Sequence, residues 1–415
     1  MSGLLCDHDE LDGAGLHRAE LSAHEDYPAS SPVARRARPD AEVRRLLLQL
    51  SVVAPPDEST PVATVRRNWR LAVKAFASRP RVASATDHVI DTGDRTIRLR
   101  IYSPTGTGTA GTSTAGPTAG GAPALVWFHG GGFVAGDLYT AGATCRALAA
   151  ASGVTVVAVG YRLAPEHPLD AGREDCVAAL TWLAAHAHEL GIDPDRLAVG
   201  GDSAGGGLAA LVAQQCAHND ISLAAQVLVY PATDLTGSLP SAREAMPGLL
   251  DHRWITWIKT QIATVSDLHD PSGSALSAGD LTGLAPTILL TAGFDPLRDE
   301  GLRYGTRLRE AGVPVLHLHY PGQIHGFVSM DQVLHAGSDA LGRLGRALAH
   351  VLATGDLRNN DHPDLPRRAH PVRRLRWLHP AQRLREAEVA MAAAVHLVRD
   401  VAVSTRSRHR KGSPQ

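Results

Sequence analysis

Leu197-Ala198-Val199-Gly200-Gly201-Asp202-Ser203-Ala204-Gly205-Gly206-Gly207-Leu208 decides the reading of this chain. A short apolar run passes into Gly-x-Ser-x-Gly and then into an Ala/Leu-rich helical segment. A serine between strand and helix must sit in a strained turn if its hydroxyl is to stand clear of the sheet edge. Side chains two residues before and two after it would clash there, which accounts for Gly201 and Gly205. The helix starting at Ala204 directs its N-terminus at the hydroxyl, where free N–H groups favour negative charge. The bland alternative is a glycine-rich turn that binds phosphate or nothing.

Outward from this turn the pattern repeats. Short apolar runs at Ala124–Phe128, Val154–Val159, Leu197–Val199, Ala225–Tyr230, Thr287–Thr291 and Val315–His319 predict strands. Helical periods lie between several of them, at Asp175–Leu190, Ala204–Cys216 and Asp299–Ala311. Such alternation predicts an α/β fold with a mostly parallel central sheet and helices on both faces. In such sheets chemistry gathers at the carboxyl ends of the strands. Upstream, residues 87–102 alternate as a hairpin turning at Thr92-Gly93-Asp94, and helical spacing recurs from Ala41 to Ala77 with a break at Pro55-Pro56.

The other strand ends carry matching chemistry. Strand Ala124–Phe128 is followed by His129-Gly130-Gly131-Gly132-Phe133. With no side chains in the way, the N–H groups of Gly131 and Gly132, together with that of Ala204, could cradle an oxyanion, each such donor being worth about 10²–10³ in rate. A hydroxyl becomes a nucleophile only when a base takes its proton, and the base needs an acid to orient its ring. Asp295 follows strand Thr287–Thr291 and His325 follows Val315–His319, in the order serine, acid, histidine. Asp299 or Glu300 could replace Asp295 as the acid. Two histidine pairs, His317/His319 and His186/His188, offer only weak metal spacing, and no metal or cofactor is expected.

Taken together, these segments resemble the hormone-sensitive lipase family of bacterial-type carboxylesterases. The resemblance rests on His129-Gly130-Gly131-Gly132-Phe133, Tyr161-Arg162-Leu163-Ala164-Pro165-Glu166-His167-Pro168, Gly201-Asp202-Ser203-Ala204-Gly205-Gly206, Asp295-Pro296-Leu297-Arg298-Asp299-Glu300 and His325-Gly326-Phe327, and spans residues 40–353. It implies an α/β-hydrolase fold, with Ser203 as nucleophile, His325 as base, Asp295 as acid, and Gly131, Gly132 and Ala204 as the oxyanion hole. It also implies a helical cap, built here from residues 39–83 and an insertion near 235–280. The insertion carries Met246, Leu249, Leu250, Trp254 and Trp257, of which Trp254 and Trp257 are candidates for substrate binding. Two positions depart from the family's pattern: Gly207 stands where many relatives have Asn, and Ser274-Ala275 where Ser-Pro is usual.

The domain reading is therefore a polar lead-in at 1–38, the first cap part at 39–83, a catalytic domain at 84–356, and a basic tail at 357–415. The low-complexity Gly/Thr/Ala run from Thr105 to Pro123 is a linker between strands. Of 415 residues 44% are apolar and 20% charged, as in ordinary globular chains. The formal charge of −1 gives no reason to expect nucleic acid as a partner. It hides a net of +8 from Leu357 to Gln415, set against −9 elsewhere. Within that tail Arg383–Val403 could form a basic amphipathic helix suited to an anionic membrane surface. Four scattered cysteines make no disulfide framework, the N-terminus lacks a secretory pattern, and no apolar run spans a bilayer, so a cytoplasmic location is expected.

Hydrolysis of short- to medium-chain carboxylic esters is the expected function, with a small-molecule ester as partner. Two other readings stay open on residues alone. One is a non-catalytic small-molecule-binding relative, which the presence of His325 disfavours; the other is a lyase on the same scaffold.

Overall fold

The computed structural model describes residues 38–51, 55–105, 121–219, 221–244 and 248–357. The lead-in before residue 38, most of the Gly/Thr/Ala linker, Met246 and the tail with its membrane-surface expectation lie outside the described residues. The elements run α1 (Ala41–Leu50), α2 (Val62–Phe76), β1 (Ser84–Asp91), β2 (Thr96–Ser103), β3 (Ala122–Phe128), α3 (Leu138–Ser152), β4 (Thr155–Gly160), α4 (Leu169–Ala185), β5 (Ile192–Asp202), α5 (Ala204–His218), β6 (Ala225–Val229), α6 (His252–Ala263), β7 (Thr287–Phe294), α7 (Arg298–Glu310), β8 (Val315–Ile324) and α8 (His335–Thr354).

One sheet runs in the order β1-β2-β4-β3-β5-β6-β7-β8. Its first two strands form the expected hairpin, closed at Asp91 opposite Thr96, and β2 meets β4 antiparallel. Every pairing from β4 to β8 is parallel. Because strand side chains alternate, each buried strand feeds two cores. Ala124, Val126 and Phe128 of β3 join Leu180, Leu208 and Leu308 from α4, α5 and α7. Leu125 and Trp127, on the other face, join Leu148 of α3 and Leu344 and Leu348 of α8. This two-sided burial explains why β3 through β8 read as continuous apolar runs instead of an alternating pattern.

The N-terminal helices are fastened to the catalytic domain at both ends. Before α1, Asp40 donates its N–H to the Gly322 carbonyl and accepts from the Gln323 amide, both in the strand leading to His325. After α2, Gln332 donates its backbone N–H to Phe76 and its side-chain amide to Ala77. The insertion between β6 and β7 is closed at its base: Leu276 N–H reaches the Thr233 carbonyl at 2.9 Å, and Leu235 N–H reaches the Ser274 hydroxyl at 3.0 Å. Ser274-Ala275 thus makes the junction without a proline. No helix among the described residues is long and apolar enough to cross a membrane.

Candidate active site

Four strands deliver the candidate residues to one edge of the sheet. β3 ends at the glycine loop, β5 at Ser203, β7 at Asp295 and β8 at His325. Ser203 lies at φ 57°, a left-handed conformation costly for a residue with a side chain. Close approach makes the turn possible: a Cβ on Gly205 would land on the Phe128 carbonyl, and one on Gly201 on the backbone of Gly205. Gly207 has a similar reason, since a side chain there would strike the Ala232 carbonyl. The Asn found in many relatives has no room in this packing.

β8 is three strands from β5, yet its histidine meets the serine. On β7, Ala292 pairs with Tyr320 and Phe294 with Ile324, so two steps along β7 match four along β8. Extra residues on one strand bend it and raise its twist. Past this shift β8 runs beyond the expected His319 end to Ile324, so that His325 directly follows the strand. There the His325 Nε2 lies 2.9 Å from the Ser203 hydroxyl, and Nδ1 lies 2.8 Å from an Asp295 carboxylate oxygen. The other carboxylate oxygen accepts the Leu297 N–H at 2.8 Å. Asp295 is fully buried and His325 nearly so, and the Tyr230 ring packs against the imidazole at 4.7 Å between centroids. A carboxylate can only accept here, so Nδ1 carries the hydrogen and Nε2 is left to accept from the hydroxyl.

The glycine loop turns back on itself. The Gly131 carbonyl accepts from Val134 and Ala135 at 3.2 and 2.9 Å, with Gly131 at φ 131° and Gly132 at φ 63°. The N–H groups of Gly131 and Gly132 have no acceptor among the described residues. Ala204 opens α5, where an N–H has no carbonyl one turn back to bond. His129 is buried beneath the loop, stacked on Tyr161 at 4.3 Å, and the Tyr161 hydroxyl donates to the His129 carbonyl at 2.5 Å.

Asp202, beside Ser203, accepts the Gly130 N–H at 3.1 Å and so ties β5 to the start of the loop. Burial pushes its carboxyl up to about 6, partly opposed by the Gly130 N–H, by His325 and by Trp127. Cys145, Tyr161 and Tyr230 also face it, and each is itself raised by burial. A carboxyl whose folded pKa is raised binds its proton more tightly in the native state. Stability is therefore fully retained below the unfolded value and is lost as pH rises towards about 6. Relative to Asp202→Asn, the wild type is expected to lose about 1–3 kcal/mol between pH 4 and 7, measured by chemical unfolding at both pH values. A constant difference across that range would contradict the assignment.

The remaining sequence candidates fall elsewhere. Asp299 accepts from Ser241 N–H and pairs with Arg298, and Glu300 is buried, accepting from the N–H groups of Thr233 and Asp234 at 2.7 and 3.1 Å. Both hold the base of the cap insertion. His317 and His319 share the Thr291 hydroxyl at 2.7 and 2.9 Å inside the β7–β8 pair, while His186 stacks on Trp182 at the end of α4. No group of three or more His, Cys, Asp or Glu side chains placed to hold a metal ion occurs among the described residues. Trp257 is buried in the cap-facing core, and Trp254, half-buried, meets it edge to face at 6.1 Å. Ile258, on the same helix, was not singled out by the sequence. Its side chain lies so close to Gly132 that a Cβ there would collide with it. Only the fold brings an isoleucine 126 positions away onto the glycine loop, so local sequence carries no sign of the contact.

A family model for the α/β hydrolase fold matches residues 125–329. The chain is similar to Esterase LipI of Mycobacterium tuberculosis, 43% identical over 235 residues that cover 56% of this chain and 73% of that protein. It is similar to an ethyl acetate hydrolase of Pseudomonas putida, 39% identical over 262 residues covering 62% and 79%. Among solved structures, an alpha/beta hydrolase enzyme from the metagenome of Lake Arreo superposes with a TM-score of 0.71 at 37% identity, over 77% of this chain and all of that one.

Proposed function

We propose, because this chain belongs to the hormone-sensitive lipase family of α/β hydrolases and is a carboxylic ester hydrolase, that it cleaves short- to medium-chain esters at Ser203 through an acyl-enzyme. The observation that carries this reading is the continuous relay from the Ser203 hydroxyl through His325 to buried Asp295. Ser203 attacks the acyl carbon as its proton passes to His325 Nε2, and the ring, now charged, is steadied by Asp295. The carbonyl oxygen becomes an oxyanion facing the N–H groups of Gly131, Gly132 and Ala204. Collapse of the tetrahedral intermediate expels the alcohol, which takes the proton from His325. A water then gives its proton to His325 and attacks the acyl-enzyme, releasing the acid and restoring the serine. The fixed hydrogen-bonded base favours this reading over the non-catalytic alternative.

The size of the acyl group is set, in this reading, by what roofs the glycine loop. Ile258 lies directly over Gly132, whereas Trp257 is committed to the core. The test is kcat/KM across p-nitrophenyl esters from acetate to dodecanoate, with the maximum expected between butanoate and octanoate. Ile258→Ala is expected to move that maximum towards longer chains by about 3- to 10-fold in relative kcat/KM, since each added methylene that finds room is worth roughly 1 kcal/mol. A wild-type maximum at the longest ester would remove the chain-length proposal. An unchanged profile in Ile258→Ala would remove the role given to that side chain.

A further inference from the structure

A route of hydrogen bonds leads from the N-terminal cap helix to the site. Arg66 of α2 donates through Nε to the Val134 carbonyl at 2.8 Å and through Nη2 to the Ala164 carbonyl at 3.0 Å. Its two terminal nitrogens also grip Glu166 at 2.8 and 2.7 Å, and the guanidinium holds that carboxyl below its ordinary value. One turn further along α2, Arg70 pairs with Asp137, the residue capping α3. Both arginines thus reach the segment that leaves the glycine loop.

The peptide unit matters more than the residue. The Val134 carbonyl held by Arg66 belongs to the same planar unit as the Ala135 N–H. That N–H donates to the Gly131 carbonyl at 2.9 Å. The Gly131 carbonyl, in turn, shares its plane with the Gly132 N–H. A cation therefore stands at the head of two rigid amides in series, and the second presents its N–H to the oxyanion position. Fixing the first plane orients the second, and a positive charge at the carbonyl end polarises both in the direction that strengthens the final donor. The Phe133 carbonyl, bonded to Ala164 N–H at 3.0 Å, closes the ring from the other side.

We infer that Arg66 is a positioning residue for ester hydrolysis, aiming and polarising the Gly132 N–H through the Val134–Ala135 and Gly131–Gly132 peptides. The inference rests on Gly132 being an oxyanion donor, as proposed above. It predicts a dependence of turnover on the N-terminal helix that does not pass through substrate contact. Lysine cannot replace the arginine, because a single ammonium cannot span two carbonyls and a carboxylate in the same plane.

The test compares kcat and KM for p-nitrophenyl butanoate, and the rate of inactivation by a p-nitrophenyl alkylphosphonate, whose phosphoryl oxygen occupies the oxyanion position. Full-length wild type, Arg66→Lys, Arg66→Gln, Glu166→Gln, Arg67→Gln and Ser203→Ala are measured side by side. Arg66→Lys is expected to lower kcat about 10-fold and Arg66→Gln about 30-fold, part of the 10²–10³ that a whole oxyanion donor is worth. KM should stay within about twofold, and phosphonate inactivation should slow in parallel with kcat. Arg67 is exposed on the same helix, and Arg67→Gln should match wild type. Glu166→Gln removes the ion pair but leaves the carbonyl contacts, so it should lower kcat far less than Arg66→Gln. If Arg66→Gln does not fold, Arg66→Lys decides. A wild-type kcat in Arg66→Lys, or a rise in KM alone, overturns the inference, as does a Glu166→Gln loss equal to that of Arg66→Gln. Turnover in Ser203→Ala within 100-fold of wild type would instead overturn the esterase mechanism on which the inference rests.

Discussion

Ser203→Ala is expected to cut kcat for a short p-nitrophenyl ester by about 10⁵–10⁶ while leaving the fold intact. Without the hydroxyl there is no acyl-enzyme, and His325 has no proton to take at 2.9 Å. Residual turnover, from glycine amides polarising the ester towards water, should exceed the uncatalysed rate by about 10³. Stability should hardly change, because alanine keeps the Cβ and hence the strain at φ 57°. Ser203→Gly should be equally inactive but more stable by about 1 kcal/mol, since glycine occupies that region freely. The pair of variants thus separates chemistry from backbone cost. Activity in either variant within 100-fold of wild type would place the nucleophile elsewhere.

What the residues alone could show depended on range. The elbow at Gly201–Gly205 is legible because its pattern is local: strand, forced turn and helix lie within twelve residues, and a Cβ on Gly201 would already strike Gly205 inside that span, although Gly205 itself answers to the Phe128 carbonyl on the neighbouring strand. The strands β3 to β8 were legible because burial on both faces makes each an unbroken apolar run. The residues at their carboxyl ends followed from the rule that places chemistry there. The register shift that extends β8 to Ile324, where the sequence predicts an end at His319, is not visible locally, because register is a property of two strands and not of either sequence.

The cap shows the same limit from another side. Spacings in the insertion compatible with an apolar lid face make Trp254 and Trp257 candidates for substrate binding. In the folded chain Trp257 fills core, and the smaller Ile258 takes the place over the glycine loop. The helical period gives a face, and the docking of that face gives the contact; only the first is written locally. Arg66 and Arg70 illustrate it again: nothing in the local sequence of their helix marks either one, and only the fold brings Val134 and Asp137 to meet them.

Asp295→Asn is expected to lower kcat by on the order of 10⁴ with KM little changed, a larger loss than removal of the charge alone would give. The reason lies in the second partner of the carboxylate. One oxygen accepts the Leu297 N–H at 2.8 Å, and with the side chain fully buried no water can take over that bond. Asparagine must therefore turn its carbonyl oxygen to Leu297, which leaves its NH₂ facing His325 Nδ1. An NH₂ can only donate, so Nδ1 must give up its hydrogen and Nε2 must carry one. The ring then presents a donor to Ser203 where a base is required, in a geometry otherwise undisturbed. Asp299 is the other acid that sequence order allows, but it is occupied by Ser241 and Arg298. Asp299→Asn is accordingly expected to keep kcat within about 3-fold and to cost stability at the insertion's base, about 1 kcal/mol for a weakened partly buried pair. Steady-state kinetics on both variants decide between them: a crippled Asp299→Asn beside an active Asp295→Asn would transfer the acid's role and undo the tautomer argument together with it.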